Sequence, residues 1–489
     1  MTIYETVGCL VEGFVVTQVC ELPQVIQGGM GVGVSSWELA RSVSCAGGLG
    51  VVSGTALDVV LARRLQDGDQ GGHMRRALAA FPEPGMAQRV LDTYFQPDGR
   101  PDGRPYRPVP KLTLRQTARQ QELTVVANFV EVWLAKDGHD APVGVNYLEK
   151  VQMATPAAAL GALVAGVDCV LMGAGLPRQI PRLLDDLAAG VVAGVDVDVH
   201  GAEEPHRVTV DPRALLAEAL VDLTRPRFLA IVSANILAAY LARDPSTRPD
   251  GFVVEGPGAG GHNAPPRGRL ALDERNEPVY GPRDEVDLDK LLALGIPFWL
   301  AGGQGTPQGL AEARARGAAG IQVGTLFALA ADSGLMPRLR EELGDQLVSG
   351  TLDVRTDPLA SPTGFPFKVA QVVGTLSDPS VHDARRRLCD LSYLRTPYLT
   401  PTGGIGYRCP GEPEQMYVRK GGDLADTVGR ACLCNALTAD IGLGQTRRDG
   451  YVEPPLVTLG SDLTGAAELS SIHPDGWAAA DVVAWLTGA

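Results

Sequence analysis

Between residues 20 and 330 the chain alternates two kinds of segment. Short β-branched apolar runs are followed by longer Ala/Leu-rich stretches of helical period. That alternation predicts a parallel sheet with crossover helices. The runs are PQVIQ (23–27), LGVVS (49–53), PVGVN (142–146), DCVLM (168–172), RFLAIVS (227–233), GFVVE (251–255), IPFWLA (296–301) and AGIQV (319–323). Eight such strands are the number that closes a TIM (β/α)8 barrel, so the expected fold class is α/β. Helices are predicted at 36–46, 156–166, 177–189, 286–294 and 307–317.

Two stretches break the rhythm. About 90 residues separate the second and third runs, an insertion expected at about 60–120; its tandem PDGRPDGR (97–104) reads as two turns in a solvent loop. Around 190–226, VVAGVDVDVHG and HRVTV suggest a small hairpin. The barrel is therefore expected over 20–335. Residues 336–489 form a Pro/Gly-punctuated C-terminal extension packed on the barrel or capping it.

Composition narrows the function classes. A net charge of −14 without a basic stripe disfavours nucleic acid. The N-terminal MTIYETVGCLVEGFVV lacks the basic start of a signal peptide, and no apolar run reaches the roughly 20 residues that span a bilayer. Eight cysteines in 489 residues are no disulfide framework, which favours a reducing cytoplasm. Cys409, Cys432 and Cys434, with Cys389, have poor metal-ligand spacing, so buried free thiols and no metal are expected.

In this fold, reacting groups come from the C-terminal strand ends. Gln27-Gly28-Gly29-Met30-Gly31-Val32-Gly33 follows the first run, and its glycines let backbone approach a flat ligand. Its spacing is not that of a dinucleotide fingerprint. Ala301-Gly302-Gly303 and Gln322-Val323-Gly324-Thr325 follow the seventh and eighth runs, where this fold binds phosphate; Thr325 is expected to cap the next helix. Glu255-Gly256-Pro257-Gly258-Ala259-Gly260-Gly261-His262-Asn263 follows the sixth run and offers an imidazole for proton transfer. Asn146, ending the third, carries an amide suited to a pyrimidine edge.

Together these motifs resemble the 2-nitropropane dioxygenase-like family, which includes nitronate monooxygenases and flavin-dependent enoyl-acyl carrier protein reductases. The resemblance runs from PQVIQGGMG through LARSVSCAGGLGVVS, VGVN and AGGH to PFWLAGGQGTPQGLAEARARGAAGIQVGT, roughly residues 20–335. It implies FMN, with its phosphate at Gly302, Gly303, Gly324 and Thr325. The ring would lie near Gly28, Gly29, Met30, Asn146, Gly260 and Gln322, and His262 matches the family's active-site histidine. Glu255 looks more like the enoyl-reductase branch, and NAPPRG after His262 fits neither branch.

The leading expectation is FMN-dependent oxidation of a nitronate or similar carbanion with O2. The alternatives are NAD(P)H-dependent reduction of an enoyl thioester, as in a trans-acting reductase of fatty-acid or polyketide assembly, and a non-catalytic phospholigand barrel. The partner is a small-molecule substrate or acyl thioester, with no nucleic acid or membrane, and a homo-oligomer is compatible with this reading.

Overall fold

The structure is a computed structural model that describes residues 22–217 and 223–488. The N-terminal segment read above for targeting lies outside the described residues. Eight parallel strands form one sheet: β1 Val25–Gln27, β2 Gly50–Ser53, β3 Val143–Leu148, β4 Cys169–Gly173, β5 Arg227–Val232, β6 Gly251–Glu255, β7 Phe298–Ala301 and β8 Gly320–Val323. Their order is β1-β8-β7-β6-β5-β4-β3-β2. A parallel bridge from Ile26 to Leu49 joins the two ends, with Gln27 N–H donating to Leu49 O at 3.0 Å. The protein is thus a closed TIM barrel, as the eight apolar runs predicted.

Strand alternation divides the core in two. Ile26, Val51, Leu171, Leu229, Ile231, Val253 and Trp299 face inward and fill the barrel. Their neighbours Val25, Val52, Val170, Phe228, Phe252 and Phe298 face outward beneath the helices. Each large apolar side chain so buried contributes about 2 kcal/mol of transfer free energy. Alternation also sets what stands above the barrel plug. Two residues beyond inward Val253 comes Glu255, and two beyond inward Trp299 comes Ala301. Gly144 has a missing Cβ that would lie 3.1 Å from inward Val51 and 3.2 Å from inward Leu171, so Asn146 falls on the inward register too.

The insertion carries helices Leu57–Gln66, His73–Ala80, Pro84–Tyr94 and Ala118–Lys136. The tandem PDGR segment forms two turns, with its second copy exposed. Ala193–Val197 and His206–Val210 pair antiparallel as the small hairpin.

The extension has a satellite core of Ala360, Phe367, Val369, Leu376, Leu433 and Leu456. It is anchored to the barrel by Trp477 Nε1, which donates to Leu326 O at 2.8 Å, and by the helix Ala479–Thr487. That helix packs against the barrel helix Trp37–Cys45. Tyr393 of the extension donates its hydroxyl to Asp58 of the insertion, tying the two additions together. Among the described residues no helix is long and apolar enough to cross a membrane.

Candidate active site

The C-terminal strand tips surround a cavity of about 170 Å³. Gly28, Gly29, Met30, Asn146, Gly260, Gly302, Gly303, Gln322, Gly324 and Thr325 all line it, so residues almost 300 positions apart meet at one end of the barrel.

The first loop is held by side chains to which sequence reading gave no role. Fully buried Gln27 accepts from Val51 N–H at 2.9 Å and donates to Ser35 Oγ at 2.7 Å. Ser35 in turn accepts from Met30 N–H at 2.8 Å and donates to Gly28 O at 3.0 Å. Gly29 lies so close to Asn146 that an added Cβ would fall 2.4 Å from that residue's own Cβ. The contact leaves Asn146 Nδ2 donating to Gly29 O at 3.1 Å. Asn146 Oδ1 and Gln322 Oε1 are buried, and neither has a protein partner. A buried amide oxygen with no donor is costly unless a ligand supplies one.

At the opposite wall Gly302 and Gly303 take φ of +84° and +74°, where a side chain is strained. Thr325 does not cap the following helix, contrary to expectation. Gly324 takes the cap position of the four-residue helix Thr325–Ala328 with no side-chain bond, and the Thr325 hydroxyl accepts from Gly460 N–H at 2.9 Å. Its own proton stays free to donate.

Gly460 belongs to an extension segment that completes the cavity wall with Thr458, Leu459, Asp462, Gly465 and Ala466. Ser461 N–H donates to Gly258 O at 3.0 Å, and Gly261 N–H donates to Thr458 Oγ1 at 2.8 Å, stitching the segment to the loop after β6. The Asp462 carboxylate would lie 3.3 Å from a Cβ on Gly303. Sequence reading missed this wall, since LVTLGSDLTG carries no periodic or motif signal that assigns it to the barrel.

His262 occupies the rim but does not line the cavity. Lys368 N–H donates to Gly261 O and Asn263 N–H to Pro366 O, both at 2.9 Å, pairing residues 261–263 with the extension. That pairing turns the imidazole onto Phe367, edge to face at 4.8 Å, and sets Nε2 at 2.7 Å from Ser361 Oγ. Burial, helped by nearby Lys150, lowers its pKa to about 4, so the ring is neutral at physiological pH. Glu255 does line the cavity, and burial alone raises its pKa to about 8.

The C-terminal cysteines Cys389, Cys409, Cys432 and Cys434 are free thiols. Burial and neighbouring sulfurs push Cys389 up to about 11 and raise Cys409 and Cys432 as well. Among the described residues no group of three or more His, Cys, Asp or Glu is arranged to hold a metal.

A closed parallel barrel with its glycine turns, unpaired amides and ionisable groups gathered at one end defines a TIM-barrel protein with a ligand site at the strand tips. Residues 208–355, which carry β5–β8 and His262, match the nitronate monooxygenase family model, and the resemblance read from the motifs holds there. A curated Mycobacterium tuberculosis protein, (3aS,4S,5R,7aS)-5-hydroxy-7a-methyl-1-oxo-octahydro-1H-indene-4-carboxyl-CoA dehydrogenase, is 28% identical over 198 residues. The match takes in 37% of this chain and 52% of that protein, about half its length. Among solved structures, FabK from Thermotoga maritima is 16% identical with a TM-score of 0.46, covering 95% of this chain and 92% of its own. Nitroalkane oxidase from Streptomyces ansochromogenes is 15% identical with a TM-score of 0.43, covering 95% of each chain.

Proposed function

We propose that the protein is an FMN-dependent oxidoreductase acting on a nitronate or a similarly stabilised carbanion, with O2 as electron acceptor. The observation that carries this reading is the pair of partnerless amide oxygens, Asn146 Oδ1 and Gln322 Oε1, in a cavity walled by glycine backbone. The N–H of a flavin's pyrimidine edge would satisfy such oxygens. The free Thr325 proton and the turns at Gly302, Gly303 and Gly324 suit a phosphate. Added Cβ atoms at Gly29 and Gly302 would meet Asn146 and Ala259 respectively, so glycine is what lets these wall segments pack so closely on their neighbours.

When bound, FMN would supply two-electron redox chemistry. The chain's own groups hold it, exclude water and manage protons. The neutral imidazole of His262 is proposed as a base, contributing on the order of 10²–10⁴ in rate. The ring is turned onto Ser361, so acting as a base requires it to rotate toward the cavity. The match to the nitronate monooxygenase family model favours a nitronate. A second reading, reduction of an enoyl thioester with NAD(P)H as donor, draws support from the CoA thioester in the name of the curated relative.

Anaerobic mixing separates the readings. Bleaching of the flavin by a nitronate alone supports the first, and bleaching by NAD(P)H supports the second. Protein that takes up no FMN refutes both and restores a non-catalytic phospholigand barrel. His262→Asn is expected to keep FMN while losing turnover.

A further inference from the structure

Beside the main cavity lies a second, small chamber of about 30 Å³, room for a water or two, bounded by Ser233, Glu255, Asn263, Arg267, Tyr280 and Asp284. It is walled by the segment after His262, the stretch whose NAPPRG sequence departs from the family pattern. Glu255 lines both cavities and is the only ionisable residue that does. No hydrogen bond or ion pair reaches its carboxyl among the described residues, although Arg267 shares the chamber. The Arg267 guanidinium is spent on the carbonyls of Arg283 and Ser233. Tyr280 donates to Ala264 O at 3.0 Å, and Asp284 accepts from the Arg267 and Gly281 backbones. Asn263, 2% exposed, has an Oδ1 with no partner. The chamber therefore contains unsatisfied polar groups, the setting in which ordered water is found.

In the main cavity the other ionisable group is Asp462, which faces Gly303 at the phosphate end and accepts from Thr464 N–H at 3.0 Å. His262 is turned away onto Ser361. Glu255, on the inward register of β6, is the acid–base group that faces the middle of the cavity in this structure.

We propose that Glu255 exchanges a proton between the main cavity and water in the side chamber, making it an acid–base residue of the redox site. This rests on the oxidoreductase reading and adds to it a residue for proton transfer from a neutral carbon acid. The C–H proton moves to a Glu255 carboxylate oxygen, the C–H electron pair passes into the adjoining nitro group, and a chamber water carries the proton out. No oxidant is consumed in that step. A carboxylate titrating near 8 is a far stronger base than one at the ordinary 4.5.

The test uses the full chain with two variants. In pH-difference infrared spectra of the cofactor-free protein, the carbonyl stretch of a protonated carboxyl should fade with a midpoint near 8 and be missing in Glu255→Gln. With FMN bound, that variant should lose turnover of a neutral primary nitroalkane by on the order of 10²-fold or more. Turnover of the preformed nitronate, which has no C–H proton to give up, is measured beside it, and the nitroalkane rate should fall by the larger factor. Ser233→Leu, which narrows the side chamber, should slow hydrogen–deuterium exchange of the same carboxyl.

A midpoint near 4.5, nitroalkane turnover untouched in Glu255→Gln, or unslowed exchange in Ser233→Leu would each overturn the proposal. Infrared titration near 8 with slowed exchange, but no turnover of either probe, refutes the substrate reading and supports the proton exchange.

Discussion

Gly302→Ala isolates what the glycine wall contributes. At φ +84° an alanine costs about 1–2 kcal/mol for the left-handed conformation. Its Cβ would stand 2.9 Å from Ala259 N and 3.1 Å from Gly256 O, both main chain and unable to rotate away. Moving the 256–259 turn adds about 1–3 kcal/mol of packing strain. The turn carries Gly258 and Ala259 into the cavity wall, so part of the cost falls on the ligand. A loss of about 1.4 kcal/mol in binding is tenfold. FMN affinity, read by quenching of flavin fluorescence on titration into cofactor-free protein, should fall about ten- to a hundredfold. Thermal unfolding followed by circular dichroism should drop by a few degrees. Gly295→Ala is the control: φ is +63°, but nothing lies within 4 Å of the added Cβ. It should lower stability modestly and leave FMN affinity alone. Equal FMN binding in Gly302→Ala and wild type would refute the reasoning, as would an equal loss in the control.

Further outcomes follow from buried groups. His262 has a folded pKa of about 4 against 6.5 unfolded, so the unfolded chain binds the extra proton between those values. Stability is full above pH 6.5 and declines by up to about 3 kcal/mol as pH falls toward 4. Urea melts of His262→Gln should show a flatter acid limb. Ser361→Ala removes the partner of Nε2 and should cost about 1–3 kcal/mol in the same melts at pH 7. Tyr393→Phe strips the hydroxyl from Asp58, whose pKa burial raises, so destabilisation of about 1–3 kcal/mol is expected. That loss should grow as pH rises above the ordinary carboxylate range, measured by melts over a pH series. Site-resolved alkylation at pH 8 should modify exposed Cys45 quickly and Cys169, Cys409 and Cys432 only after denaturation. Rapid native labelling of the latter three would contradict their burial.

The barrel was legible because its strands are buried on both faces, so LGVVS and DCVLM read as continuous apolar runs ending in glycine or turn residues. The helix Ala118–Lys136 was not predicted, and its burial explains why. From Leu123 to Val132 every residue is buried, which erases the one-sided stripe that periodicity detects. Glycine clusters at strand ends pointed to the cavity because close backbone approach is a local property. The direction of the His262 ring was not legible, since it depends on pairing with Phe367, about a hundred residues later. Thr458, Gly460 and Asp462 reach the site from an irregular segment, and nothing in their spacing announces a partner across the barrel mouth. Glu255 was visible as a residue, but its role depends on two cavities meeting there.

The strap formed by residues 458–466 also fixes an order of events. During synthesis all eight strands leave the ribosome long before this strap does, yet the pocket has no fourth wall until Gly460 meets Thr325. Closure of the cavity is thereby deferred until the strap has been made, and a chain cut short at residue 457 would lack that side of the wall.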